Sequence, residues 1–145
     1  MNSTHGTHSP TVLITGTSSD AHTWNLVYLQ LLLEEWGRRV VNLGPCAPDE
    51  LVLASALEHD PGLIVVSSVN GHGFHDGLRL IRVLRSHPRL AATTIVIGGK
   101  LGVDGLRNVG QVRRLTEAGY DRVFDDGDMA DFRALVSRLP ARAVS

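Results

Sequence analysis

Long apolar runs are missing from this 145-residue chain, and no stretch approaches the roughly 20 residues that span a bilayer. A membrane partner is therefore not expected. Cysteine is almost missing too. Cys46 stands alone, so no internal disulfide forms and a reducing cytoplasm is the expected compartment. Residues 1–10 are polar and lack the apolar core of a signal peptide. There is no excess of basic charge: 14 Lys and Arg stand against 15 Asp and Glu, mixed along the chain, so nucleic acid is not an expected partner. What is present is ordinary for a soluble domain, with 43% hydrophobic and 20% charged residues. The length suits one core. Residues 1–10 read as a disordered leader, 11–139 as the domain and 140–145 as a frayed tail.

Five short apolar runs punctuate the domain: Thr11–Thr15, Arg39–Asn42, Leu63–Ser67, Thr94–Ile97 and Asp121–Phe124. The first, third and fourth are rich in Val and Ile without polar alternation, as strands read when both sheet faces are buried. The second and fifth are shorter and more polar, as strands near an edge are. Helical spacing fills the intervals. Leu26, Leu29, Leu33 and Trp36 recur on one face before Gly37. Asp49–Glu58 follows Pro48, and Asp76–Ser86 carries Leu78, Ile81 and Leu84 with arginines on other faces. Val109–Ala118 ends at Gly119, and Asp131–Leu139 closes the domain.

Alternating strands and helices predict a parallel α/β sheet covered on both faces. Five such strands fit the flavodoxin-like order 2-1-3-4-5. Ligands of these sheets bind beyond the carboxyl ends of the strands, near the switch point. The loops Gly16–Asn25, Ser68–His75 and Gly98–Asn108 are therefore expected to carry the function.

The first of these loops holds Asp20 and His22, two residues apart. A carboxylate this close can accept a hydrogen bond from one imidazole nitrogen and leave the other, more basic, free for a metal. A turn carboxylate beside a surface histidine is the plainer reading, and on this spacing alone it prevails. Elsewhere the plainer readings hold. Cys46 reads as a structural thiol, His72 and His75 as helix-starting surface histidines, and Arg38-Arg39 and Arg113-Arg114 as solvated faces.

The order of motifs alters the balance for His22. Asp20-x-His22 resembles the Asp-x-His-x-x-Gly signature of base-off, His-on cobalamin-binding domains. Val66-Ser-Ser-Val69 is similar to their Ser-x-Leu element, and Gly98-Gly99 to their Gly-Gly element. Each falls at the end of a predicted strand. Val41-Asn-Leu-Gly44, Pro48-x-Glu50-Leu51, the loop running from Val66 through Gly71 to Gly73, and Gly119-Tyr-Asp-Arg-Val-Phe124 further resemble the small subunits of adenosylcobalamin-dependent glutamate mutases. This likeness runs from about Thr11 to Leu139.

The resemblance implies the following roles. His22 is the lower cobalt ligand, in place of the cofactor's own dimethylbenzimidazole, and Asp20 is its hydrogen-bond partner. Ser67 bonds the displaced base, and Val69 packs on the nucleotide tail or corrin. Gly98 and Gly99 let the tail pass close to the backbone. Ser18 and Thr17 offer polar contacts. Asn25 stands where the family has glycine; it tolerates positive φ and also caps helices, so the loop survives either way. Trp24 beside it covers the corrin edge or meets a partner, unless it is a plain surface aromatic. No catalytic residue is expected in this chain.

The implied activity is the radical interconversion of L-glutamate and threo-3-methyl-L-aspartate. The substrate site would lie on a separate (β/α)8 barrel subunit, in a heterotetramer of two small and two large subunits. The alternatives are a free-standing corrinoid carrier for methyl transfer, or a cobalamin-sensing module. A plain receiver domain would need a phosphorylatable Asp at the end of the third strand, where Ser67-Ser68 stand.

Overall fold

A computed structural model of the chain describes residues 9–16, 26–67, 73–98, 108–124 and 129–139. Five strands, β1 (Ser9–Gly16), β2 (Arg39–Asn42), β3 (Pro61–Ser67), β4 (Thr94–Gly98) and β5 (Arg122–Phe124), form one sheet in the order β2-β1-β3-β4-β5. All four pairings are parallel. The helices are α1 (Leu26–Glu35), α2 (Asp49–His59), α3 (Gly73–Arg85), α4 (Asn108–Ala118) and α5 (Met129–Arg138). The flavodoxin-like expectation is met, and the two shorter, more polar runs are the two edge strands.

The strands form where they do because both of their faces find cover. Leu13, Ile64, Val66, Ile95 and Ile97 pack with Val52 and Ala56 of α2, Leu78, Leu80, Ile81 and Leu84 of α3, and Leu115 of α4. Val12, Ile14, Leu63, Val65 and Val96 pack on the opposite face with Leu26, Leu29 and Leu33 of α1 and Phe132 and Val136 of α5. One face thus carries three helices and the other two. Every residue of β3 from Leu63 to Ser67 is fully buried. Each such Leu, Ile or Val stabilises the fold by about 1.5–3 kcal/mol, so the apolar run needs no alternation.

Several boundaries differ from the sequence expectation. β1 begins at Ser9, inside the expected leader, because Ser9 pairs with Pro61 across a register shift. α3 begins at Gly73 rather than Asp76, and a short 3-10 turn at Pro88–Leu90 precedes β4. Arg38 corrects the reading of Arg38-Arg39 as a solvated pair. Arg39 is exposed, but Arg38 is buried and donates from Nη2 to the carbonyls of Val136 (2.8 Å) and Leu139 (3.1 Å) at the end of α5. Arg113 and Arg114 are exposed, as expected. Cys46, expected as a structural thiol, is exposed in the turn between β2 and α2.

Candidate functional site

The carboxyl edge of the sheet is set by its register. Gly16, the last residue of β1, pairs with Ser67, the last of β3. Ser67 in turn pairs with Gly98, the last of β4, and Gly98 with Phe124, the last of β5. The four strands therefore end level. The segments 17–25, 68–72 and 99–107 leave from three adjacent positions in that row. The three motif loops, scattered over the sequence, share one take-off line.

Alternation gives this row its face. Val12, Ile14, Leu63, Val65, Val96 and Phe124 belong to the side covered by α1 and α5. Side chains alternate with a period of two, so Gly16, Ser67 and Gly98 fall on that same side. Ser67 is completely buried there, with a glycine on each side in register. At Gly98 nothing larger than hydrogen projects toward that face. At Gly16 the room is already taken: an added Cβ would lie 3.0 Å from Pro45 Cα and 3.5 Å from Leu26 Cδ1. The row closes at Phe124, whose ring meets Phe132 edge-on at 5.6 Å between centroids, and Phe132 lies 6.0 Å from Trp36. A polar hydroxyl thus sits in a narrow row of backbone between sheet and helices.

Of the residues singled out by sequence, Ser67 and Gly98 are described and are brought side by side. Thr17, Ser18, Asp20, His22, Trp24, Asn25, Val69, His72 and Gly99 lie outside the described residues. His75 is exposed in the first turn of α3. A separate groove of about 620 Å3 between α1 and α5 is lined, among the described residues, by Tyr28, Leu32, Trp36, Met129 and Arg133 and not by Ser67 or Gly98.

Sequence reasoning missed Asn42 and Gln30. The Asn42 side chain accepts from Gly44 N at 2.8 Å and donates to Gln30 Oε1 at 3.1 Å. Gly44 O then accepts from Gly16 N at 3.0 Å. Asn42-Leu-Gly44 is visible in the sequence as a turn signal, but its partners on α1 and β1 are not.

Comparison with known proteins falls on this same framework. The B12 binding domain family matches residues 10–130. A glutamate mutase sigma subunit of Halobacterium salinarum is 35% identical over 119 residues, covering 79% of this chain and 76% of that protein. Among solved structures, the monomethylamine corrinoid protein of Methanosarcina barkeri superposes with a TM-score of 0.65 at 22% identity, over 87% of this chain and 57% of that one. The receiver domain of the sensor histidine kinase PA1611 of Pseudomonas aeruginosa gives 0.63 at 15% identity, over 91% and 97% of the two chains. The two superpositions show the fold alone, which carriers and receivers share. Ser67 at the end of β3 is where a receiver needs its aspartate.

Proposed function

The chain belongs to the B12-binding domain family, and on that premise we propose that it is the cobalamin-binding subunit of a glutamate mutase. It would act with a separate, larger barrel subunit, two of each per assembly, to interconvert L-glutamate and threo-3-methyl-L-aspartate. The observation that carries the reading is the level row Gly16–Ser67–Gly98, from which all three motif loops depart. The sigma-subunit relative at 35% identity supports the choice of a mutase over a methyl carrier or a sensor.

The described part of the site fits a cobalamin tail. A buried hydroxyl in register with Gly98 would offer a polar contact, and Gly98 a close approach to backbone. Bound adenosylcobalamin supplies the radical chemistry, through its cobalt–carbon bond, that starts the carbon-skeleton rearrangement. The chain's own residues have holding roles. His22 would present a neutral imidazole nitrogen to cobalt, and Asp20 would accept from the other ring nitrogen, keeping the ring in one tautomer. Ser67 would hydrogen-bond the cofactor's nucleotide base, Val69 would pack on the tail or corrin, and Gly98 and Gly99 would leave it room. Ser18 would contribute a polar contact, and Asn25 would set the entry of the loop into α1. None of these groups would touch the substrate, whose site would lie on the partner subunit.

The test is spectroscopic. Cob(II)alamin bound to the protein, with its partner subunit present if binding requires it, is expected to show hyperfine splitting from a protein nitrogen. The splitting pattern should change when the protein's histidines carry a different nitrogen isotope. His22→Ala should remove that change and weaken binding severely. Asp20→Asn should act less, since the ligand remains and only its charged partner is lost. A spectrum indifferent to histidine labelling would sink the assignment of His22 to cobalt.

A further inference from the structure

Segment 17–25, which contains His22, leaves β1 at Gly16 and enters α1 at Leu26, and both of its ends are held through one side chain. Asn42 is the last residue of β2, paired in register with Ile14. Its Oδ1 accepts from Gly44 N at 2.8 Å, forming a tight turn in which Gly44 takes φ +81°. That turn aims Gly44 O at Gly16 N, 3.0 Å away, and Leu43 N donates to Ile14 O at 2.9 Å just before it. The exit of the segment is thereby tied to the turn. The other half of the Asn42 amide, Nδ2, donates to Gln30 Oε1 on α1 at 3.1 Å. Gln30 Nε2 donates onward to Glu34 Oε2 at 3.2 Å, which gives the chain of bonds one direction. The re-entry of the segment is tied as well. The Asn42 amide thus serves as acceptor toward the turn and as donor toward α1.

We propose that Asn42 is a positioning residue for the cobalt-ligand loop, and that it works by clamping β1 and α1 at the two ends of segment 17–25. The proposal rests on the assignment of His22 to cobalt. The physical reason is preorganisation. A loop whose ends are fixed in separation and direction loses less conformational entropy when its ligand residue binds, so affinity rises with no new contact to the cofactor. The packing agrees. At Gly16 an added Cβ would touch the turn at Pro45 Cα (3.0 Å) and α1 at Leu26 Cδ1 (3.5 Å), so exit, turn and re-entry already meet at one point.

The test uses the full chain. Hydrogen–deuterium exchange is measured on the apoprotein, and adenosylcobalamin affinity by equilibrium dialysis, for wild type, Asn42→Ala, Asn42→Asp and Gln30→Ala. Losing both amide bonds in Asn42→Ala should weaken binding about tenfold and speed exchange at Gly16 and across 17–25, with β3 and β4 unchanged. Asn42→Asp keeps the acceptor for Gly44 N and should recover most of the affinity. Gln30→Ala breaks only the α1 tether and should fall between; it serves if Asn42→Ala does not fold. Wild-type affinity and exchange in Gln30→Ala and Asn42→Ala would overturn the proposal, as would faster exchange spread evenly over the sheet. If wild-type cobalamin shows no histidine nitrogen, the assignment of His22 falls and takes this proposal with it. If it shows one and the variants bind normally, only the role of Asn42 falls.

Discussion

Ser67 is a serine at the end of a strand that otherwise buries Val and Ile. A valine there would suit the strand, and burying it would favour folding. On the proposed function, Ser67→Ala should leave the fold intact and weaken cobalamin binding by about fivefold, the worth of roughly one hydrogen bond. Ser67→Val should do more, because its extra methyl group enters the space beside Gly98 that the tail is proposed to occupy. Dialysis against adenosylcobalamin, with a thermal melt to confirm folding, separates the two effects. Full affinity in Ser67→Val would show that the tail does not pass along this row.

Among the elements, α3, β4 and β5 are joined by polar bonds that the apolar core alone does not supply. Arg85, at the end of α3, donates to the carbonyls of Leu90 (2.7 Å), Thr93 (2.8 Å) and Gly119 (2.8 Å) and to Asp121 Oδ2 (3.0 Å). Asp121 Oδ2 also accepts from Ile95 N at 2.9 Å, so a single carboxylate links α3 to the start of β4. Deeper in, Tyr120 is buried and its hydroxyl donates to Gly77 O at 2.7 Å. Gly77 admits this approach because α3 lies so close to the sheet that an added Cβ would fall 2.6 Å from Ile97 Cδ1. Burial, and then the charge of Asp49, push the Tyr120 hydroxyl well above its ordinary range, with Arg85 pulling weakly the other way. The sign follows. The folded state holds this proton more tightly than the unfolded chain, so the stability it contributes is complete below about pH 10 and is lost as pH rises above that. Tyr120→Phe should cost about 1 kcal/mol at neutral pH and should flatten the alkaline fall. Urea unfolding between pH 8 and pH 11 checks both. An identical alkaline slope in the variant would refute the role given to this hydroxyl.

At the scale of the molecule, five strands and five helices among the described residues build one sheet with helices on both faces, and β1, β3 and β4 end level at one edge. On the proposed function the chain holds one side of the cofactor and leaves the substrate to its partner. The purified chain with adenosylcobalamin and L-glutamate should form no 3-methylaspartate, and addition of the larger subunit should start turnover. Product formed by the chain alone would overturn this division of labour.

The sequence by itself determined the layering. Val- and Ile-rich runs without polar alternation bury both faces wherever they pair, and leucines at helical spacing bury one, so sheet, helices and edge strands were legible from local pattern. So were the three motifs, because a short motif is a local string. Strand register was not legible. That Gly16, Ser67 and Gly98 stand side by side depends on hydrogen bonds between segments some 30 to 50 residues apart. The same limit hid Arg38 and Asn42. An Arg-Arg pair reads as surface, and only the end of α5, far along the chain, brings the carbonyls that bury Arg38. An Asn before Leu-Gly reads as a turn, and only the packing of α1 beside β2 brings Gln30 within reach of its amide. Hydrophobicity and periodicity belong to each residue and its near neighbours. Which carbonyl or amide a polar side chain meets is settled by tertiary packing.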